Sequence, residues 1–141
     1  MKIRDVMTPN PKTVSPDDTI QAAARIMQSE DTGAVPVVNN GRVLAVVTDR
    51  DIVVRVVAAG GSVPDPVRSI ASHDVICASP EMSTREASEL MSQHQSRRLP
   101  VVENDQLVGI VSLGDIAVKE GKDSRTGETL QGISEGVKEK I

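Results

Sequence analysis

The stretch GAVPVVNNGRVLAVVTDRDI at residues 33–52 returns further along the chain as RRLPVVENDQLVGIVSLGDI at residues 97–116. Each version contains two apolar runs rich in β-branched residues, which predict strands, and a polar turn between them. Each ends in a hydroxyl residue that is followed three positions later by aspartate. A shift of 64 residues aligns residues 3–52 with 67–116 without a gap and leaves twelve identical positions. The chain is therefore a tandem repeat.

The two copies predict the same order of elements. Upstream of the quoted stretches, Ser15-Pro16 and Ser79-Pro80 precede segments with an apolar stripe at helical spacing. We expect each serine to cap a helix and each proline to lie in its first turn. A second helix follows the quoted stretch and is predicted to end at Gly60-Gly61 in copy one and at Gly121 in copy two.

The predicted fold class is α/β (α+β), with two βαββα repeats packed with pseudo-two-fold symmetry. The reason for packing is that a copy of about 60 residues cannot bury a sufficient core by itself. We assign residues 1–62 to repeat 1, residues 63–121 to repeat 2 and residues 122–141 to a polar C-terminal tail. The tail has apolar residues at helical spacing but also glycines, which weaken a helix. We expect a frayed tail or a weak helix that docks on a partner.

Composition argues against several classes of function. The chain has no Phe, Tyr or Trp, so a stacking platform for single-stranded nucleic acid is missing. Its net charge is −4, which disfavours binding to a phosphate backbone. The single cysteine, Cys77, excludes an intrachain disulfide and fits a reducing compartment. No apolar run approaches the roughly 20 residues of a membrane span. We expect a cytoplasmic protein that binds neither nucleic acid nor membrane.

The most polar feature of the repeat is the joint between its last strand and its second helix. Thr48 with Asp51, and Ser112 with Asp115, have the spacing of a capping box in which Asp replaces the usual Glu or Gln. A helix N-terminus also offers N–H groups and a positive dipole end, which suit a phosphate. The capping and ligand-binding interpretations are compatible, because a capped helix can still face a ligand.

The motifs VMTPNPKTVSPDDTI (6–20), GAVPVV (33–38) and LAVVTDRDI (44–52) resemble the CBS domain, and the tandem resembles a Bateman module. The stretches at 48–60 and 94–102 resemble bacterial stand-alone CBS-pair proteins, among them the hypoxic response proteins. This resemblance implies a regulatory sensor that is not an enzyme and forms a homodimer. It implies an adenosine-containing ligand (AMP, ADP, ATP or S-adenosylmethionine) in the cleft between the copies, no obligatory cofactor, and an unknown regulated protein as partner.

The resemblance also assigns roles to individual residues. Asp51 and Asp115 would accept the two hydroxyls of a ribose, and Thr48 and Ser112 would bind phosphate. The adenine slot would be lined in the two copies by Thr13, Val14, Ala34, Val35, Pro36 and by Cys77, Ala78, Arg98, Leu99, Pro100. For Val35 and Leu99 a purely structural place in the core is an equally good interpretation.

The copies differ in charge near the joint. Arg97 and Arg98 have Gly33 and Ala34 as counterparts, whereas Asp49 has Leu113. The arginines would suit phosphates through charge-assisted hydrogen bonds, and Asp49 would repel them. The second copy is therefore the better nucleotide candidate. The alternative is that the arginines are a solvated pair near a helix end.

Metal binding and catalysis have little support. His73 and Cys77 are four residues apart and His94 lies elsewhere, whereas zinc needs three or four ligands. We predict no metal site and no catalytic residues. The alternative to a sensor is a ligand-free structural module that acts through its dimer surface. We expect the second helices to form that surface, with Val53, Val56 or Val57 buried in it. Arg50 and Arg55 could reach a phosphate or cover their helix, and we favour the second interpretation.

Overall fold

The computed structural model describes residues 1–123, which form two compact units. One unit contains residues 10–75 together with 104–107, and we name it the Thr48 unit. The other contains residues 1–9, 76–103 and the described residues from 108 onward, and we name it the Ser112 unit. Each compact unit thus takes residues from both sequence repeats.

Each repeat contains the predicted sequence of helix, strand, strand and helix, which confirms the mixed α+β class. In chain order they are α1 (Ile3–Val6), β1 (Thr8–Pro9), α2 (Ile20–Glu30), β2 (Ala34–Asn39), β3 (Arg42–Thr48), α3 (Asp49–Ile52), a π-helical turn (Val53–Val57), a 3-10 turn (Val67–Ser69), α4 (Thr84–Gln93), β4 (Arg98–Glu103), β5 (Gln106–Ser112) and α5 (Leu113–Asp123).

The strands form two small sheets. In the Thr48 unit β2 and β3 pair antiparallel, with Val35 opposite Val47. The second sheet has the order β1-β5-β4, and Thr8 of β1 lies opposite Ile110 of β5. The first strand predicted for each repeat is reduced to one parallel bridge residue, Val14 in copy one and Ala78 in copy two. The residues on either side of Val14 and Ala78 belong to none of the strands given above.

Both polar turns predicted between the strands are tight hairpin turns. Asn40 and Gly41 have φ angles of 54° and 80°, and Asn104 and Asp105 have φ angles of 52° and 61°. Two successive positive φ angles match the twist of the flanking strands, and Asn, Asp and Gly tolerate them best. The residues at these four positions are therefore of the types that such turns favour.

The predicted helix starts were wrong by four residues. Thr19 and Ser83 are the N-caps of α2 and α4, and their side chains accept hydrogen bonds from the N–H groups of Ala22 and Glu86. Ser15 instead opens a turn, in which its N–H donates to the Asp18 carboxylate at 2.8 Å. A hydroxyl cap works wherever the chain enters the helix, and a second hydroxyl residue stands at that entry in both copies.

The second helices end differently. In copy one Gly60 adopts a φ of 73° and the N–H of Gly61 donates to the Val56 carbonyl, so the predicted stop is confirmed. In copy two the predicted stop at Gly121 was wrong, because α5 continues to Asp123. Gly121 is buried within a helix that packs against α1 and α4, and tertiary packing routinely overrides a low helix propensity. The rest of the predicted tail, residues 124–141, lies outside the described part of the chain.

Each unit has an aliphatic core. The core of the Thr48 unit consists of Val14, Ile20, Ala23, Val35, Val37, Ala45, Val47, Val56, Val67, Ile70 and Ala71. The core of the Ser112 unit consists of Ile3, Val6, Ala78, Ala87, Met91, Leu99, Val101, Val111 and Ile116. Val56 therefore belongs to a core at 3% exposure, and its predicted place in a dimer surface was wrong.

The N-terminal segments of the two repeats are exchanged. Ile3 of copy one is buried in the core built from copy two, and Val67 of copy two is buried in the core built from copy one. The Ile3 N–H donates to the Met82 carbonyl and the Val67 N–H donates to the Asp18 carbonyl, both at 2.8 Å. The compact units and the sequence repeats are thus two different divisions of the same chain.

Candidate functional site

The joint of the Thr48 unit is a complete capping box. The Thr48 hydroxyl accepts the Asp51 N–H at 3.1 Å, and the Asp51 carboxylate accepts the Thr48 N–H at 2.9 Å. This satisfies two of the donors that a helix start leaves open. The capping interpretation of the sequence is confirmed at this joint.

The joint of the Ser112 unit begins in the same way. The Ser112 hydroxyl accepts the Asp115 N–H at 3.0 Å. The N–H of Leu113 donates to the Arg97 carbonyl at 2.8 Å, just as the N–H of Asp49 donates to the Gly33 carbonyl at 3.0 Å. Each joint is therefore hydrogen-bonded to the residue that precedes β2 or β4, the strand that contains Pro-Val-Val in its copy. The tie uses backbone groups alone, so no side chain in the sequence signals it.

The first N–H groups of α3 are not open, in contrast to the expectation from the sequence. Asp49 donates to Gly33 and Asp51 donates to Thr48, and the intervening N–H of Arg50 donates to the Asp49 carboxylate at 2.8 Å. The first three donors of this helix are thus occupied by the protein itself. Asp49 places its own negative charge where an anion would otherwise bind.

Asp51 is partly enclosed by a neighbouring arginine. Its side chain is 15% exposed, and its second carboxylate oxygen lies 3.9 Å from Nε of Arg55. Arg55 also donates to the Ile70 carbonyl at 2.9 Å. The prediction that Arg55 covers the helix is consistent with both contacts. One carboxylate oxygen of Asp51 accepts the Thr48 N–H, and the other forms an ion pair with the partly exposed guanidinium of Arg55.

The residues predicted to line an adenine slot divide cleanly between the units. Those of copy one lie in the Thr48 unit and those of copy two lie in the Ser112 unit. Thr13 and Cys77 are half-buried; Val14, Ala34, Val35, Pro36, Ala78, Leu99 and Pro100 are buried. The side chains of Val35 and Leu99, at 0% and 1% exposure, belong to the cores. This is the structural alternative that the sequence had left open for them.

The backbone beside each slot is already partly used. Val14 donates to the Pro36 carbonyl and accepts from the Val38 N–H, and Ala78 makes the same pair of bonds with Pro100 and Val102. The half-buried residues Thr13, Cys77 and Arg98 are the slot residues that keep accessible surface. Burial raises the pKa of the Cys77 thiol, because a thiolate would lose solvation there.

Arg97 is exposed and Arg98 is half-buried. Within residues 1–123, neither guanidinium takes part in an ion pair or a hydrogen bond. Their counterparts in the Thr48 unit, Gly33 and Ala34, carry no charge. The charge asymmetry that the sequence predicts is thus present in the structure, whereas its role with a ligand stays a prediction.

Two further classes of function, metal binding and membrane insertion, depend on features of the described residues. No group of three or more His, Cys, Asp or Glu side chains comes together there in a way that could hold a metal ion. Across residues 1–123, helices fall short of the length and apolar character that crossing a membrane requires.

Comparison with known proteins identifies the repeated unit. The pattern of the CBS domain matches residues 3–58 and 67–119. The CBS domain-containing protein YhcV of Bacillus subtilis is 45% identical over 132 residues, which are 94% of either chain. Hypoxic response protein 1 of Mycobacterium tuberculosis is 36% identical over 119 residues, 81% of either chain.

Solved structures give the same result. The crystal structure of Hypoxic Response Protein I with two coordinated zinc ions superimposes with a TM-score of 0.77 at 34% identity, covering 83% of this chain and 97% of that one. The CBS domain pair of protein MJ0100, in complex with 5′-methylthioadenosine and S-adenosyl-L-methionine, has a TM-score of 0.79 at 24% identity, covering 88% and 98%. At that identity the second likeness establishes the fold alone.

The fold and the repeated joint thus define a tandem pair of small α+β domains, a regulatory type of module. The chain belongs to the CBS domain family and carries a CBS pair. Such pairs are generally regulatory and non-catalytic. The match to inosine-5′-monophosphate dehydrogenase of Methanocaldococcus jannaschii, 34% identical over 116 residues, covers 21% of that enzyme and so concerns only part of it.

Proposed function

We propose that this CBS pair is a cytoplasmic sensor that binds an adenosine-containing ligand and passes the ligand state to a regulated protein. AMP, ADP, ATP and S-adenosylmethionine are the candidate ligands. Each unit would hold the ligand on its own residues. No metal and no obligatory cofactor enters the proposal.

The observation that carries the proposal is the repeated hydroxyl-x-x-Asp joint. In both units the hydroxyl accepts the N–H of the aspartate, and in the Thr48 unit the Asp51 carboxylate is 15% exposed. A capping box alone does not require a carboxylate at the third helical position, since both Glu and Gln serve there. A carboxylate in this place can accept two hydroxyl donors of a ribose, for which charged hydrogen bonds are worth about 1.5–3 kcal/mol.

The base would lie against the accessible surfaces of Thr13 or Cys77 and the backbone beside them. The sequence contains no aromatic residue, so this contact has to be aliphatic and polar. In the Ser112 unit, Arg97 immediately precedes β4 and Arg98 is its first residue, and both would bind the phosphates of a nucleotide. MJ0100 shows that a protein of this fold holds adenosine-containing ligands.

Signalling would follow from differential affinity. A ligand can shift the balance between two conformations only by the difference between its binding free energies for them. The regulated protein would therefore distinguish the ligand-bound conformation from the free one. Ligand screening by thermal shift tests the proposal, with AMP, ADP, ATP, S-adenosylmethionine and, as a different nucleotide, NADH. A true ligand at a hundred times its Kd should stabilise the protein by about 2.7 kcal/mol.

A second candidate function has an observation of its own. Val53, Val54 and Val57 are 58%, 49% and 70% exposed, and all three lie on the π-helical turn. Exposed apolar side chains that lie together are typical of interaction surfaces. A ligand-free module that acts through a homodimer surface would need these valines and would show no thermal shift with any nucleotide. The two functions are compatible if a homodimer also binds ligand.

A further inference from the structure

The tip of the β4–β5 hairpin belongs to a different compact unit from the strands that it joins. Residues 104–107 are part of the Thr48 unit, whereas residues 98–103 and 108–112 are part of the Ser112 unit. The chain therefore passes from the Ser112 unit into the Thr48 unit and back again within a single hairpin. A displacement of this tip reaches the Ser112 unit through the backbone of the hairpin itself.

Within the Thr48 unit, one backbone hydrogen bond holds the tip against the turn of the β2–β3 hairpin. The Leu107 N–H donates to the Gly41 carbonyl at 2.9 Å. The side-chain amide of Gln106 also approaches the Asn40 carbonyl, at a long distance of 3.4 Å. Gly41 leaves room for this approach, because a Cβ at its position would overlap the end of the Gln106 side chain.

The charged contact at the tip adds little to this hydrogen bond. Arg42 and Asp105 lie 3.5 Å apart, and their side chains are 65% and 79% exposed. An ion pair this exposed is screened by solvent and stabilises a structure only weakly. The backbone bond from Leu107 to Gly41 is therefore the main polar contact that fixes the tip.

The two bonded residues stand at the starts of the two strands that end at the hydroxyl-x-x-Asp joints. Gly41 immediately precedes β3, which ends at Thr48, and Leu107 is the second residue of β5, which ends at Ser112. Each strand has seven residues and so spans roughly 20 Å. Because a paired strand is held in its register, a shift at either joint is carried to the start of its strand, where the hydrogen bond passes it to the other strand.

We propose that the Gly41–Leu107 hydrogen bond is a regulatory device that couples the joint of the Thr48 unit to the joint of the Ser112 unit. This inference rests on the proposed function and adds a mode of regulation, in which a ligand bound in one unit changes the affinity of the other. The coupling is reciprocal, as thermodynamic linkage requires. It is positive, because the first ligand orders strand starts that the second ligand would otherwise have to order.

Two substitutions at one position isolate the hydrogen bond. Leu107→Pro removes the N–H that reaches Gly41, and proline is tolerated in a strand where its nitrogen faces away from the ladder. Leu107→Ala is the matched control, because it shortens the same side chain and keeps the N–H. Arg42→Ala removes the exposed ion pair and is the second control. All three are made in the full chain.

The readout has to distinguish the joints, so AMP is titrated while NMR follows the backbone amide signals of residues 47–52 and 111–116. In the wild type we expect AMP at one joint to tighten AMP binding at the other by about fivefold, so that both groups of signals follow one steep curve. Leu107→Pro should reduce this factor to less than about twofold, and each group should then follow a simple curve of its own. Leu107→Ala and Arg42→Ala should titrate like the wild type.

Amide exchange in the wild type provides a measurement that does not depend on the folding of Leu107→Pro. If the first ligand orders the strand starts, AMP should slow exchange of the Leu107 amide by about fivefold. Exchange that AMP leaves unchanged at Leu107 would overturn the proposed coupling.

Two other results would overturn the coupling and leave the proposed function intact, since AMP would still bind. One is a Leu107→Pro protein that keeps the wild-type coupling. The other is a wild-type protein in which the two groups of signals titrate independently or only one group responds. If AMP perturbs neither group, S-adenosylmethionine is titrated in its place. Failure of both compounds to perturb either group would overturn the proposed function and the coupling with it.

Discussion

The backbone N–H of Ile3 donates a 2.8 Å hydrogen bond to the carbonyl oxygen of Met82, so the start of copy one is fixed to copy two. The matching bond from Val67 to Asp18 fixes the start of copy two to copy one. Further along, the backbone N–H of Arg4 donates to the Pro80 carbonyl and that of Arg68 donates to the Pro16 carbonyl. The exchange is reciprocal at each of these positions, and each core therefore depends on both repeats.

This exchange predicts where a core mutation will act. Ile3→Ala should destabilise the protein by about 2–5 kcal/mol, because Ile3 is fully buried. Its effect should appear as faster amide exchange in residues 76–103, which lie far from it in sequence. Val67→Ala is the matched variant and should loosen residues 10–58 instead. Urea denaturation gives the magnitude and hydrogen exchange gives the location. Faster exchange around residues 10–58 in Ile3→Ala would contradict the exchanged arrangement.

Asp115→Asn separates a helix cap from a ligand site. Asp115 is the third residue of its helix, where an amide side chain can serve in a capping box as a carboxylate does, so the variant should melt close to the wild type. It presents one acceptor and one donor group to a ribose diol, so adenosine nucleotides should bind at least about tenfold more weakly. The matched change Asp51→Asn should affect ATP less, since Asp49 already disfavours phosphate in that unit. Calorimetry that finds wild-type affinity in folded Asp115→Asn would reduce the joint to a cap.

The alkylation rate of the Cys77 thiol tests whether a ligand occupies the predicted slot. Burial raises the pKa of its thiol, so iodoacetamide should alkylate it more slowly at neutral pH than it alkylates a free cysteine, since the thiolate is the nucleophile. If the slot holds the base, a saturating adenosine ligand should slow alkylation further. Mass spectrometry follows the reaction, with glutathione as the reference thiol. Ligand binding that leaves the alkylation rate unchanged would place the base elsewhere.

The same pKa shift predicts the sign of a pH effect on folding. The folded pKa lies above the unfolded one, so the thiol's contribution to stability is complete below the unfolded pKa and is lost as the pH rises through the folded pKa. Urea denaturation should therefore show that the free energy of unfolding of the wild type falls relative to that of Cys77→Ala as the solution becomes alkaline. A constant difference across that range would show that the thiol titrates alike in both states.

The exposed valines predict the location of a dimer contact. Val57 is 70% exposed, and Val57→Asp should convert a dimer to a monomer because a charge would have to be buried without a partner. Leu44→Asp is the control, since Leu44 is 42% exposed on β3, away from the π-helical turn. Sedimentation velocity measures both. A wild-type protein that sediments as a monomer would remove the homodimer from the proposal.

Val56, a neighbour of these exposed valines, should behave differently. It lies in the core of the Thr48 unit, so Val56→Ala should cost roughly 2 kcal/mol of stability through lost apolar burial. It should leave the oligomeric state unchanged. A shift to monomer without loss of stability would return Val56 to the dimer surface where the sequence had placed it.

The sequence by itself determined the duplication, the family and the local chemistry of the turns. The hairpins at Asn40-Gly41 and Asn104-Asp105 follow from residues that tolerate positive φ angles, and the Thr48–Asp51 capping box follows from a fixed spacing. These features depend on residues at most a few positions apart. Their energetics are therefore contained in the local sequence.

Only the tertiary structure decided which core each buried residue joins. Ile3 and Val67 are apolar at equivalent positions, and nothing near them in sequence indicates that each packs in the unit of the other copy. Val56 likewise has the same side chain as the exposed Val53 and Val57, and the π-helical turn determines which of them faces inward. The tie from Leu113 to Arg97 uses backbone groups that every residue carries. Hydrophobic burial has no preferred direction and backbone hydrogen bonds carry no sequence signature, so both are settled only when distant segments come together.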